Sequence, residues 1–171
     1  PAFASDGSLH VVVESPRGAH VKLKHDPDLG AMTLVRPLPH GLVFPFDFGF
    51  VPSTRAEDGD PLDAMILGEA PMFPGVVVAC VPIAIVEASQ RAAARSKDGS
   101  ATNDRVICVA RDDARSERLR GPGDLPARVR REISSFFLAA VAFEGKGVEI
   151  LGWRDARAAK RAVERALVKR P

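Results

Sequence analysis

Glu57-Asp58-Gly59-Asp60-Pro61-Leu62-Asp63 places four carboxylates within seven residues, with Gly59 and Pro61 shaping the backbone between them. Neighbouring carboxylates repel and raise each other's pKa, so a fold that gathers them needs a compensating charge. A divalent cation supplies one. Hard Mg²⁺ or Mn²⁺ prefers carboxylate oxygen and keeps several waters. An acidic turn left in solvent is the plainer alternative, because Asp-Gly-Asp-Pro is also turn-forming chemistry. An EF-hand calcium loop is not completed, since the later ligand positions are Leu, Ala and Met.

Other chemistry-bearing residues give weaker signals. His10, His20, His25 and His40 are scattered, with no His-x-x-His or Cys-paired spacing, and read as surface or loop residues. Cys80 and Cys108 sit inside apolar runs and read as buried reduced thiols.

Short strands must position the acidic run. Leu9 to Glu14, Val21 to Lys24, Met32 to Arg36, Ala64 to Gly68, Val76 to Val86 and Val106 to Ala110 are β-branched, apolar or alternating, with Gly and Pro breaks between them. That pattern predicts a small barrel or sandwich. Ser89 to Thr102 is small, polar and basic, and is expected to be an exposed loop. After Gly121-Pro122-Gly123 the period changes. Asp124 can cap a helix with Pro126 in its first turn, and Val129, Ile133, Phe136, Phe137, Ala140 and Val141 recur at helical spacing. Val148 to Leu151 reads as one more strand. A closing amphipathic helix carries Ala159, Val163 and Leu167 on one stripe.

Composition bounds the class. The chain has 171 residues, 46% hydrophobic and 27% charged, which excludes wholesale disorder. Lys and Arg total 24 against 22 Asp and Glu, so the formal charge of +2 is a weak signal for nucleic acid. No apolar run is long enough for a spanning helix. Pro1 to Ser8 lacks a basic stretch followed by an apolar one, so no secretory signal is expected and the cytoplasm is the simplest compartment.

The run Phe44-Pro45-Phe46-Asp47-Phe48-Gly49-Phe50-Val51-Pro52, followed by Asp58-Gly59-Asp60-Pro61-Leu62-Asp63, resembles the signature region of the soluble family I inorganic pyrophosphatases. That family shows an aromatic Tyr-Pro-x-x-Tyr-Gly-Tyr-x-Pro segment and then Asp-Gly-Asp-Pro-x-Asp. The likeness extends to Glu14 before a proline, Lys22 and Arg36 on the next two strands, Phe136-Phe137, and Gly152-Trp153. It implies an α+β, mainly β fold: a five-stranded OB-like barrel over 9–120, flanked by C-terminal helices at 124–143 and 154–170, in one domain over 1–171. It also implies hydrolysis of pyrophosphate to two phosphates with Mg²⁺, with Mn²⁺ as a possible substitute.

The resemblance assigns roles residue by residue. Asp58 and Asp63 would ligate metal, with Asp98 and Asn103 from a second acidic motif and Glu14 on a peripheral metal or its waters. Asp60 would be the general base that orients the attacking water. Lys22, Arg36 and Arg105 would bind the phosphates. A homo-oligomer, hexameric in bacterial members, is implied in the same way. No nucleic-acid or membrane partner is expected, since three aspartates would repel a phosphate backbone.

The departures from the family pattern fall at the site. Asn103 stands where a ligating Asp is expected, and Arg105 where a Lys is. Asp104 is adjacent, but a one-residue slip would point it to the opposite face. Phe44, Phe48 and Phe50 replace tyrosines, and the chain has no tyrosine. Ala140 and Val141 replace a Tyr-Lys pair, and Lys24 stands where an acidic residue is usual. The intact Asp58, Asp60, Asp63 trio implies a divergent metal-dependent diphosphatase with altered rate or substrate. The alternative is a weak or inactive relative that binds a phosphorylated ligand or a partner.

Overall fold

The computed structural model describes residues 1–91, 100–145 and 147–168. Strands come first: β1 (Leu9–Ser15), β2 (Val21–Asp26), β3 (Ala31–Pro37), β4 (Asp47–Phe50), β5 (Asp63–Leu67), β6 (Val77–Arg91), β7 (Ser100–Thr102) and β8 (Arg105–Ala110). Helix α1 (Ala127–Ala140), strand β9 (Val148–Asp155) and helix α2 (Ala156–Ala166) follow.

Five strands close on themselves. β1 pairs β4, β4 pairs β5, β5 pairs β8, β8 pairs β6, and β6 returns to β1. The β5–β8 pairing is parallel and the rest antiparallel, so this is a mixed barrel of the OB-like kind, mainly β with two helices. β2 and β3 form a separate hairpin, tied to β1 where Leu23 N donates to Ser15 Oγ at 2.9 Å.

The central strands are apolar on both faces because each face meets a different helix. Ala64, Ile66, Val106 and Cys108 share a core with Ala159, Ala162 and Val163 of α2. Met65, Leu67, Ile107 and Val109 face Ile133, Phe136 and Phe137 of α1. Period-two alternation divides the strands between the two cores. Both cysteines are buried and free, as their apolar setting predicts.

Close approach explains one glycine. A Cβ at Gly49 would lie 1.8 Å from Val12 O, so β4 can lie against β1 only with glycine there.

Several boundaries differ from the sequence reading. β6 does not stop at Val86. It continues because β9 pairs Ala84–Gln90 on one side and β7 pairs Ser89–Arg91 on the other. The expected loop at 89–102 therefore begins and ends as paired strand, and 92–99 lies outside the described residues. Pro82 is tolerated at a bulge, between the stretch of β6 paired to β1 and the stretch paired to β9. The Asp124 carboxylate accepts from Arg120 N and Gly121 N and closes a 3-10 turn, leaving Pro126 to precede α1. α1 ends at Ala140 rather than 143. Gly152-Trp153 lies inside β9, and α2 starts at Ala156 because the Asp155 carboxylate caps it, accepting from Ala158 N at 2.8 Å. The 154–170 helix is thus shorter than expected, and Leu167 instead bridges Thr54. Among the described residues no helix is long and apolar enough to cross a membrane.

Candidate active site

The acidic run folds as a tight turn leading into β5. Ala56 N donates to Asp60 O at 2.7 Å, Gly59 N to Ala56 O at 3.0 Å, and Asp60 N to Asp58 Oδ1 at 3.1 Å. Gly59 takes φ +92°, which the turn needs and a side chain would resist. Thr54 Oγ1 anchors the turn's exit, accepting from Leu62 N at 2.9 Å and donating to Val51 O at 2.6 Å. Asp63 opens β5 and lies in register with Arg105 of β8 and Phe50 of β4.

Two adjoining cavities meet here. Lys22, Arg36, Asn103 and Arg105 line the first together with Asp58, Asp60 and Asp63. Glu14, Lys24 and His25 line the second, which shares Lys22, Asp60 and Asp63 with the first. The hairpin brings Lys22 and Arg36 together as direct cross-strand partners. The far wall of the first cavity is aromatic and apolar: Phe44, Phe48, Phe136 and Phe137, ending at Ala140 and Val141. Phe50 stands beside the second, 6.2 Å from the His25 ring.

Three of these cations are paired. Lys24 Nζ donates to Asp60 Oδ1 at 2.6 Å. Arg36 Nη2 donates to Ala140 O at 2.7 Å and pairs with the Glu144 carboxylate. Arg105 is buried, donates from Nη1 to Asn103 O at 2.7 Å and keeps Nε 4.0 Å from Asp63 Oδ2.

Sequence and structure agree closely with known proteins. The family profile described as inorganic pyrophosphatase matches residues 11–170. The inorganic pyrophosphatase of Thermus thermophilus is 42% identical over 164 residues, covering 94% of this chain and 89% of its own. That of a Synechocystis strain is 35% identical, covering 96% and 92%. The solved structure of the Thermus thermophilus enzyme superposes with a TM-score of 0.86 at 38% identity, covering 98% of this chain and 94% of its own. An inorganic pyrophosphatase structure from Coxiella burnetii gives 0.87 at 30%, covering 98% and 97%. The chain belongs to the inorganic pyrophosphatase family.

Family I pyrophosphatases depend on a metal, and the donor set here fits one in kind. The oxygens are hard, and the carboxylates strain against one another. Burial raises the Asp63 pKa, Arg105 and Lys22 pull it down, and Asp58 and Asp60 push it up again. Burial likewise lifts Glu14 from 4.5 to about 7, opposed by a hydrogen bond from His25 N at 2.7 Å and reinforced by Asp63. Added positive charge would relieve both groups. Among the described residues, however, no three acid, histidine or cysteine side chains converge as a ready metal cage. Asp60 is drawn toward Lys24 and Asp63 toward Arg105.

The pyrophosphatase signature thus brings Glu14, Lys22, Arg36, Asp58, Asp60, Asp63, Asn103 and Arg105 to one pair of cavities. Asp98 lies outside the described residues. Asp104 points the other way, as period two requires. It accepts from Ala88 N at 3.2 Å and lines a separate cavity with Arg55 and Arg165. Sequence reasoning missed Glu144 beside Arg36, and the Phe137 ring 4.7 Å beneath the Arg105 guanidinium. It noted Lys24 but not its bond to Asp60. No local motif marks these pairs.

Proposed function

We propose that this chain hydrolyses inorganic pyrophosphate to two phosphates with a divalent cation, Mg²⁺ in the first instance and Mn²⁺ as a substitute. One observation carries the reading. Asp58, Asp60 and Asp63 on a single turn and strand face Lys22, Arg36 and Arg105 across one cavity. Carboxylates beside cations suit a polyanion that arrives with metal.

When bound, a divalent cation offsets phosphoryl charge and acidifies the attacking water. Asp58, Asp63 and Asn103 would hold it, with Asp98 and, at the periphery, Glu14. Lys22 and Arg36 hold one phosphate, Arg36 through its planar fork. Arg105 faces the same charge from the barrel side. Asp60 accepts the proton of the water that attacks phosphorus. The new P–O bond forms as the bridging P–O bond breaks, and the leaving phosphate takes the electron pair.

The same reading makes residues 1–171 one working domain, placed in the cytoplasm and assembled as a homo-oligomer, a hexamer by family likeness. Exposed Phe73 and Val77 support an interface between copies, and the buried free cysteines suit a reducing compartment. Phosphate release from pyrophosphate and other diphosphates, with Mg²⁺ or Mn²⁺, tests the reading. Release above the metal-only background, lowered at least tenfold or so in Asp60→Asn, is expected. No release at saturating metal and substrate would overturn it and leave a phosphorylated-ligand binder, which calorimetry with a non-hydrolysable diphosphate would reveal.

A further inference from the structure

The Lys24–Asp60 bond joins two elements 36 residues apart in sequence, the β2 strand and the acidic turn. Lys24 leaves β2 on the same side as Lys22, two residues away, and its head borders the cavity that also holds Glu14 and Asp63. Both side chains of the pair reach solvent, so an incoming cation can contest it.

Charge counting shows what that contest decides. Asp58, Asp60 and Asp63, joined by Glu14 where it is ionised, bring at most four negative charges to the two cavities, while Lys22, Lys24 and Arg105 bring three positive ones. Arg36 is offset by Glu144. One divalent ion therefore leaves the balance positive. A second would enter with no carboxylate left to offset it, and would meet the Lys24 ammonium at Asp60.

We propose that the Lys24 ammonium stands in for one divalent cation at Asp60, so that these acids gather one ion fewer than they would without it, and that Lys24 holds Asp60 in place for the attacking water. The second half rests on the hydrolytic reading, whereas the first rests on the Lys24–Asp60 contact. Lys24 is a positioning residue in this scheme, acting through Asp60.

Calorimetric titration of Mn²⁺ into the full chain tests it, in wild type, Lys24→Met and Lys24→Arg. Lys24→Met is expected to bind one more Mn²⁺ per chain, or to bind Mn²⁺ at least about tenfold more tightly, because a like charge beside the ion is gone. Lys24→Arg keeps the charge and is expected to match wild type. Adding Asp60→Asn to Lys24→Met is expected to abolish the gain. Lys24→Gln is a second neutral variant with the same expected gain. Equal stoichiometry and affinity in wild type and both neutral variants overturn the proposal, and so does a gain that survives Asp60→Asn. Phosphate release run in parallel is expected to depend on a higher power of Mg²⁺ concentration in Lys24→Met. The titration needs no turnover, so the two readings fail separately. A gain with an inactive wild type would sink hydrolysis and the positioning role with it, and keep the ammonium as the stand-in for a cation at Asp60. An active wild type without a gain would do the reverse.

Discussion

The Arg105 guanidinium lies 4.7 Å over the Phe137 ring of α1, and this stacking fixes the cation that faces Asp63. The planar group stacks on Phe137 while Nη1 reaches Asn103 O. A lysine ammonium cannot satisfy both contacts from one point. Arg105→Lys is expected to lower stability by about 1–3 kcal/mol in urea unfolding, through the lost stacking and the orphaned carbonyl. Arg105→Met removes the charge as well, so Asp63 loses the largest influence that lowers its pKa. An unchanged urea midpoint in both variants would show that the stack contributes nothing.

Glu144 places a carboxylate where Arg36 is expected to receive phosphate. The two side chains pair at the end of α1, and Ala140 O holds the same Arg36 Nη2. On the proposed reading, substrate competes with an internal anion for Arg36. Glu144→Gln is expected to lower KM for pyrophosphate several-fold with little change in kcat. A raised KM would instead make Glu144 a support that holds Arg36 ready.

Glu14 makes the metal-free protein sensitive to pH. Its carboxyl titrates near 4.5 when unfolded and at about 7 when folded, chiefly through burial. Below pH 4.5 both states hold the proton and nothing is lost. As pH rises toward 7 the unfolded chain releases a proton that the folded chain keeps, so stability falls, and above 7 the full cost applies. That cost is on the order of 3 kcal/mol. Glu14→Gln, which can still accept from His25 N, is expected to gain on wild type between pH 5 and pH 8 in chelator. A constant difference across that range would contradict the assignment.

Much of this site was legible because its parts are local. Asp58, Asp60 and Asp63 sit on one turn, which their spacing shows, and Lys22 and Arg36 lie on adjacent strands of one hairpin, where the family resemblance puts them beside the acids. The aromatic run was legible for the same reason, and Gly49 is required by a contact that no neighbour in sequence reveals. What escaped depends on distant partners. Arg36 and Ala140 are 104 residues apart, and Lys24 and Asp60 are 36 apart. Ser100–Thr102 reads as loop because its residues are small and polar, and it becomes strand only because the end of β6 lies beside it.

Asn103 offers a change whose sign depends on metal. It lines the cavity with Asp58, Asp60 and Asp63, and its backbone O, not its side chain, accepts from Arg105. Asn103→Asp therefore adds a carboxylate to an acidic wall without removing that hydrogen bond. In chelator the added repulsion is expected to destabilise the protein by about 0.5–2 kcal/mol. With Mg²⁺ the same charge is expected to serve as a ligand in the proposed site. A tenfold tighter site adds about 1.4 kcal/mol of stability once the ion is well above its Kd. The Mg²⁺-induced rise in Tm is thus expected to be larger in Asn103→Asp than in wild type, enough to offset or reverse the loss seen in chelator. An equal rise in the two proteins would mean that residue 103 does not face the cation, and the metal would then have to be held by Asp58 and Asp63 without it.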